Sequence, residues 1–355
     1  MSNELYQWQM TEVKKEFHLA KSKLPSLGQG EVIVKVAGCG VCHTDLSFWN
    51  FGVQTKHALP LTLGHEISGV VVDGDPAWIG QAVIIPAVLP CGNCEFCLSD
   101  RSNVCRNQLM PGNDFHGGFA SHIKVPSAFL CKVPVSVLKK FPLEHLAVIA
   151  DAISTPYQVV KKSELSSGDL AIVIGVGGVG VYGALLAKIV GAKVIALDIS
   201  DEKLKIAADN GVDATLNIRG LDPKAIKDKI KELAKQCGAP KFAWKIFEIS
   251  GTKTGQELAF SLITFASTVS IVGFTMDKTE VRLSNLMAFD AKLIGTWGCR
   301  AELYPEVLDL VAGDKLKISS FIQTFPMSTI NEVFNNTLHH KYSKRTVLVP
   351  DFNNA

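Results

Sequence analysis

The chain has 355 residues, enough for two domains that each bury a core. Its 47% hydrophobic and 20% charged content is that of an ordinary globular protein, and 36 basic against 34 acidic side chains leave no excess charge to recruit nucleic acid or an anionic membrane. Nine cysteines, an odd number, behind an N-terminus ("MSNELYQWQMTEVKKEF") without an apolar run predict reduced thiols and metal sites in the cytoplasm rather than a disulfide framework.

Up to about residue 150 the β-branched runs "EVIVKVAGCG", "ISGVVVDG" and "QAVIIPAV" are cut by Gly, Pro and Asp, which predicts an antiparallel, barrel-like fold. Within it, "GCGVCHTDLS" leaves Cys42 open as a nucleophile, half of a disulfide or a metal ligand. Downstream, "LTLGHEISG" sets His65 and Glu66 at the entrance to a strand. Cys91, Cys94, Cys97 and Cys105 then form C-x2-C-x2-C-x7-C. Four thiolates so close together complete a tetrahedral zinc shell with no position left for a substrate, so the lobe 91–105 reads as a structural site. A zinc ribbon would separate two C-x2-C knuckles by about 15–20 residues. A bacterial ferredoxin would place about three residues before the fourth cysteine.

Beyond residue 150 the rhythm changes. "LAIVIG", "KVIALD", "KIFEIS", "VSIVGF" and "KLIGTW" are buried-strand runs, several separated by stretches of helical period, the sign of a parallel doubly wound sheet. The uncharged stretch 170–187 is nominally long enough to span a bilayer, but its glycines cluster as a turn and exclude that reading. Gly175, Gly177 and Gly180, with Gly178 and Val179 between them, form G-x-G-x-x-G between a strand and a helix. The first allows the tight turn, the second a close approach to pyrophosphate, the third close helix packing. Asp198 ends the next strand 23 residues after Gly175, near the expected ~20. An acid there binds the adenosine ribose hydroxyls and repels a 2′-phosphate, so NAD is expected over NADP. Lysines in "DPKAIKDKIKELAKQCGAPK" read as the solvated face of an amphipathic helix. From Trp297 a helix-like "ELYPEVLDLVAGDKL" precedes a last strand, "RTVLVP".

In their order and spacing, G-C-G-x-C-H-T-D, G-H-E, the four-cysteine lobe and G-x-G-G-x-G resemble the zinc-dependent medium-chain alcohol dehydrogenases over essentially the whole chain. The resemblance implies a GroES-like β-barrel catalytic domain over 1–151 and 297–355 and a Rossmann NAD-binding domain over 152–296. It implies an alcohol oxidised by hydride transfer to NAD, two Zn²⁺ per chain, one catalytic and one structural, and a homo-oligomer, dimer or tetramer.

Carried over position by position, the resemblance makes Cys42 and His65 ligands of the catalytic zinc and puts the third, usually Cys or Glu, on Asp151. One thiolate, one carboxylate and a neutral imidazole still neutralise Zn²⁺. Cys39, in C-x2-C spacing with Cys42, is the rival third ligand. Asp45 matches the carboxylate that orients the zinc-binding imidazole. Glu66 matches a residue near the metal that is not a permanent ligand. Thr44 matches the hydroxyl that takes the alcohol proton. Ser47 stands where many relatives have a relay histidine, so either water replaces the imidazole or Ser47 bridges. His43 and Arg345 match pyrophosphate contacts, and Lys203 matches an adenosine-ribose contact.

Further phrases, among them "LPLTLGHEISG", "AVLPCGNCEFC" and "DAISTPYQVV", resemble dehydrogenases of a cyclic hydroxyacyl-CoA thioester in anaerobic benzoyl-CoA degradation. Lys56, His57 and Arg300 are cations available for CoA phosphates, and Phe48, Trp49 and Phe51 are available to wall a ring pocket. The alternatives are a dehydrogenase of simple cyclic or aliphatic secondary alcohols and a non-catalytic zinc module.

Overall fold

A computed structural model of the chain describes residues 4–352; Met1–Asn3 and Asn353–Ala355 lie outside the described residues. The chain forms two compact units, one reaching to Ser154 and resuming at Gly298, the other Thr155–Trp297. The first opens with a hairpin of β1 (Glu4–Gln9) and β2 (His18–Lys23). Then come β3 (Glu31–Gly40), α1 (His43–Trp49), β4 (Glu66–Gly74), β5 (Ala82–Ile85), β6 (His122–Pro126), β7 (Cys131–Lys132) and α2 (Val135–Leu138). A buried 3-10 segment, Leu143–Ala150, ends this part.

α3 (Ser154–Lys162) leads into the second unit. There β8 (Leu170–Ile174), α4 (Gly180–Val190), β9 (Lys193–Asp198), α5 (Asp201–Asp209), β10 (Ala214–Asn217), α6 (Pro223–Gln236), β11 (Lys245–Glu248), α7 (Lys253–Ser261), β12 (Thr268–Ile271), α8 (Ser284–Ala288) and β13 (Lys292–Gly295) alternate. The chain returns to the first unit with α9 (Tyr304–Ala312), β14 (Ile322–Pro326), α10 (Ile330–Leu338) and β15 (Arg345–Val349).

In the first unit seven strands run β14-β15-β3-β4-β5-β7, with β6 pairing β3 off that path. Pairing is antiparallel except between β14 and β15. The inward residues Val34, Val36, Ile67 and Val83 pack with Leu46, Phe119 and Phe334 into one core. In the second unit six strands run β10-β9-β8-β11-β12-β13, all parallel. Being covered on both faces, β8 and β9 are continuous apolar runs, and Ile172, Ile195, Ile246 and Val269 lie in the core with Trp244.

The lysine-rich stretch is α6, started by the side chain of Asp222, which accepts from the Ala225 amide at 2.9 Å, and by Pro223 in the first turn. Its Ile226, Ile230 and Ala234 are buried, at helical spacing; Lys224, Lys229, Lys231 and Lys235 are exposed, while Lys227 is half-buried and donates to the Ser261 and Ile263 carbonyls at 3.0 and 2.8 Å. No helix among the described residues is long and apolar enough to cross a membrane. The uncharged stretch around Gly175 is the strand β8, a turn and the start of α4, as its clustered glycines require.

Candidate active site

Strand register gathers the first constellation. β3 pairs β4 with Gly40 opposite Glu66, so Cys42, two residues beyond β3, meets His65, the residue before β4. β15 pairs the other edge of β3, with Val347 opposite Gly40, which brings Arg345 to the same end. The 3-10 segment Leu143–Ala150 packs beneath these strands, anchored by the Ser68 hydroxyl on the Leu143 carbonyl at 2.7 Å, and delivers Asp151.

Ligand atoms of Cys42, His65, Glu66 and Asp151 all lie within 4.8 Å of one another. Asp151 Oδ2 stands 3.6 Å from Cys42 Sγ and 3.6 Å from His65 Nε2. A tetrahedral zinc at ordinary bond lengths needs about 3.6 Å between S and O and about 3.4 Å between N and O ligands. The donor set fits that ion. His65 is buried, which opposes charging the imidazole, yet Asp45, Asp151 and Cys42 outweigh the burial and hold its pKa well above the usual value. The pocket's field therefore favours a cation.

Asp45 fastens this geometry. Fully buried, it accepts the Cys42 amide at 2.9 Å and the Gly64 amide at 3.0 Å, and its Oδ1 lies 3.3 Å from His65 Nδ1. The first of these contacts also completes the start of α1, where Cys42 is the residue before the first turn. Thr44 Oγ1 lies 3.8 Å from Cys42 Sγ. Ser47 is buried and its hydroxyl donates to the His43 carbonyl at 2.9 Å, within its own helix. His43 is stacked at 6.5 Å on His340; burial, then His340 and Arg345, lower its pKa. Cys39 is buried in the apolar core and is not among the clustered ligands.

Two features of this site carry no local sequence signal. Arg345 turns its guanidinium onto Glu66: Nε donates to Oε2 at 3.0 Å and Nη2 donates to Oε1, with both residues buried. Gly40 is required here, because a Cβ on it would collide with that carboxylate. Tyr304, also fully buried, donates its hydroxyl to the Ala150 carbonyl and accepts the Ala87 amide at 3.2 Å, fixing the peptide that precedes Asp151.

The four cysteines of the loop also converge. Sγ–Sγ distances are 3.5 Å for Cys94–Cys97, 3.7 Å for Cys94–Cys105 and 4.0 Å for Cys91–Cys97. Four thiolates at about 2.3 Å from one zinc stand about 3.8 Å apart, which this lobe matches. The amides of Cys91 and Asn107 donate to Cys105 Sγ at 3.3 Å. Backbone amides, first that of Cys97 and then that of Arg106, draw the Cys94 thiol down to about 6. Arg300 is bound to Asp100 in the same lobe and Lys56 to Asp114.

In the second unit, Gly175 takes a φ of +85° and Gly180 approaches its carbonyl so closely that no Cβ fits. At Gly177 the space is open, with only Lys203 Nζ near, 3.9 Å from where a Cβ would stand. Asp198 accepts the Val176 amide at 2.9 Å, tying the turn to β9, and the Ile199 and Ser200 amides at 2.8 and 3.0 Å. Three of its roughly four acceptor positions are thus filled by backbone. Val179 precedes α4, and Gly178 lies in the turn before it.

Residues 28–135 match the family model described as an alcohol dehydrogenase GroES-like domain, and residues 178–313 the one described as a zinc-binding dehydrogenase. An alcohol dehydrogenase of Geobacillus stearothermophilus is 31% identical over 345 residues, covering 96% of this chain and 97% of its own. Among solved structures, acetophenone reductase from Geotrichum candidum, in complex with NAD, superposes with a TM-score of 0.87 at 25% identity over 100% of this chain and 99% of its own. The alcohol dehydrogenase of Aeropyrum pernix does so with a TM-score of 0.86 at 26% identity, over 97% of this chain and 100% of its own.

Proposed function

The chain belongs to the zinc-dependent medium-chain alcohol dehydrogenases, NAD(P)-dependent oxidoreductases acting on CH–OH, and we propose that Cys42, His65 and Asp151 hold its catalytic zinc. The four-cysteine lobe holds the structural one. The alcohol oxidised is 6-hydroxycyclohex-1-ene-1-carboxyl-CoA, giving the conjugated 6-oxo thioester. The observation that carries the metal assignment is the convergence of one sulphur, one imidazole nitrogen and one carboxylate oxygen at zinc spacing, while both oxygens of the fourth candidate, Glu66, are engaged by Arg345. Three ligands with one open corner is the arrangement of a catalytic rather than a structural site.

When bound, zinc and the nicotinamide supply a Lewis acid that acidifies the alcohol and the acceptor of its hydride. The chain does the rest. The Asp45 carboxylate, 3.3 Å from His65 Nδ1, favours the proton on Nδ1 and so leaves the Nε2 lone pair for the metal. Thr44, beside Cys42, takes the alcohol proton. Ser47 has committed its own proton to the His43 carbonyl, so the path onward from Thr44 runs through water rather than through Ser47. The Gly175–Gly180 turn receives the pyrophosphate, and Lys203, whose Nζ lies near Gly177, is the adenosine-ribose contact. Asp198 supports NAD over NADP, because its carboxylate repels a 2′-phosphate.

The CoA-thioester reading rests on the local phrases around Cys42, His65, Cys91 and Asp151. A second copy of the chain is the proposed partner: β13 is one edge strand of its sheet, and Phe274, Met276, Leu283, Met287, Leu293 and Trp297, in and beside it along the chain, are exposed. A cytoplasmic setting is supported by nine free thiols.

The test is NADH absorbance with NAD and 6-hydroxycyclohex-1-ene-1-carboxyl-CoA, cyclohex-2-enol beside it, and Cys42→Ser as blank. Turnover of the thioester alone is expected. Equal turnover of the bare alcohol would remove the CoA assignment and leave a dehydrogenase of simple secondary alcohols.

A further inference from the structure

Tyr304 opens α9 and ends a short strap, residues 300–304, whose first residues hold the four-cysteine lobe. Arg300 Nη1 donates to the Asp100 carbonyl at 3.0 Å and stands 3.3 Å from the Asp100 carboxylate. The Ser102 hydroxyl, which is buried, donates to Glu302 Oε2 at 2.6 Å. A single 3-10 turn, Ala301–Leu303, then leads to Tyr304, with Ala301 and Leu303 packed inside.

At the far end of the strap the Tyr304 hydroxyl, fully buried, accepts the Ala87 amide at 3.2 Å and donates to the Ala150 carbonyl. The Ser154 hydroxyl and the Ala87 amide reach the same carbonyl at 3.2 and 3.4 Å. Ala87 belongs to the stem of the lobe: two residues on, Leu89 exchanges both backbone hydrogen bonds with Leu109 at 2.9 Å, and Cys91 follows. One hydroxyl thus joins the stem of the four-cysteine lobe to the peptide of Asp151.

That peptide decides where the Asp151 carboxylate goes. A planar peptide has one orientation once its carbonyl is pinned, and the Ala150–Asp151 peptide carries the Asp151 Cα. Beyond it, the Ile153 amide donates to the Val148 carbonyl at 3.1 Å and closes a turn around Asp151. Metal bond lengths hold to within about 0.2 Å, so a small rotation of this peptide takes Oδ2 out of range. In the lobe, residues 92–101 are mostly exposed. Metal rather than a core orders such a loop, and Asp100 and Ser102 with it.

We propose that Tyr304 is a positioning residue for the catalytic metal, and that the four-cysteine lobe, folded around its own zinc, seats Tyr304 through the strap 300–304, so that filling one site tightens the other. Tyr304 touches neither metal; it acts through Asp151. The inference rests on the assignment of Asp151 as a ligand.

The experiment loads the full chain with Co²⁺, whose bands distinguish a four-thiolate site from one with a single thiolate, and titrates each site against a chelator. Tyr304→Phe is expected to weaken the Cys42 site by about 10–100-fold, the usual effect of removing a partner one layer behind a ligand. Ser102→Ala, which cuts the strap from the lobe, is expected to weaken it by about fivefold, and by nothing further once Tyr304 is Phe. In Asp151→Ala, titrated at higher cobalt, Tyr304→Phe is expected to change nothing, whereas a merely structural tyrosine would cost the same with or without Asp151. Ser154→Ala takes a different donor off the same carbonyl and gives the same reading should Tyr304→Phe not fold. Wild-type affinity in Tyr304→Phe, a loss that persists without Asp151, or a Ser102→Ala effect that persists without the hydroxyl overturns the inference alone. Wild-type affinity in Asp151→Ala overturns the metal assignment, and the inference with it.

Discussion

Arg345→Met is the perturbation that most sharply separates the roles of Arg345 and Glu66. Glu66 is fully buried, its oxygens take two donors from one guanidinium, and Gly40 closes the backbone behind it. Removing the arginine leaves a carboxylate with no water to solvate it. Breaking a buried pair in this way costs about 3–5 kcal/mol, whereas removing both partners together costs far less. At about 2–4 °C per kcal/mol for a unit of this size, the metal-free variant should melt about 6–20 °C below wild type. The double variant Arg345→Met/Glu66→Gln should recover most of that loss. With zinc present the freed Glu66 is drawn to the open corner, so the single variant should hold zinc while losing turnover. Calorimetry of metal-free and zinc-loaded protein, with NADH formation alongside, reads all three quantities. A single variant as stable and as active as wild type, or a double variant no better than the single, would refute the reasoning.

Cys105→Ser should remove one zinc per chain and expose the 91–105 loop to proteolysis while the Cys42 site keeps its metal, as metal analysis and limited digestion would show. Asp213 is pushed up by burial, but the Lys188 ammonium at 2.7 Å, the Val194 amide at 2.8 Å and Lys193 outweigh that and leave its pKa lowered. Its contribution is therefore present above the unfolded carboxyl pKa, near 3.9, and is lost as pH falls through the lower folded value. Asp213→Asn should cost about 1 kcal/mol at pH 7 and nothing at the acid end of that range, measured by urea melts at both pH values. Met287→Asp, on a side chain 78% exposed shortly before the edge strand β13 along the chain, should convert a wild-type oligomer to monomer in light scattering; an unchanged mass would remove that edge from the interface.

Most strands legible in advance have side chains buried on one or both faces; "KLIGTW", read as a buried run, is β13, a sheet edge on which Lys292, Leu293 and Gly295 are exposed. "EVIVKVAGCG" is β3 to the residue, and "KVIALD" is β9. Elements without that pattern left no trace: β10 is half-buried throughout, β2 is mostly exposed, and β14 alternates too briefly. Local motifs were likewise readable, since four cysteines in one loop or three glycines in one turn carry their chemistry in their spacing. The Arg345–Glu66 pair joins residues 279 apart, and Tyr304 reaches Ala150 across 154. Only the register of β15 on β3 and the packing of α9 create those contacts. The commitment of the Ser47 proton to its own helix is also a matter of rotamer, which no residue type announces.

The most direct measurement is zinc per chain, by atomic emission, in wild type and Asp151→Ala, with NADH formation recorded on the same samples. The account predicts two zinc ions in wild type, one in the variant, and loss of turnover with the second ion. Two ions and undiminished turnover in Asp151→Ala would contradict it.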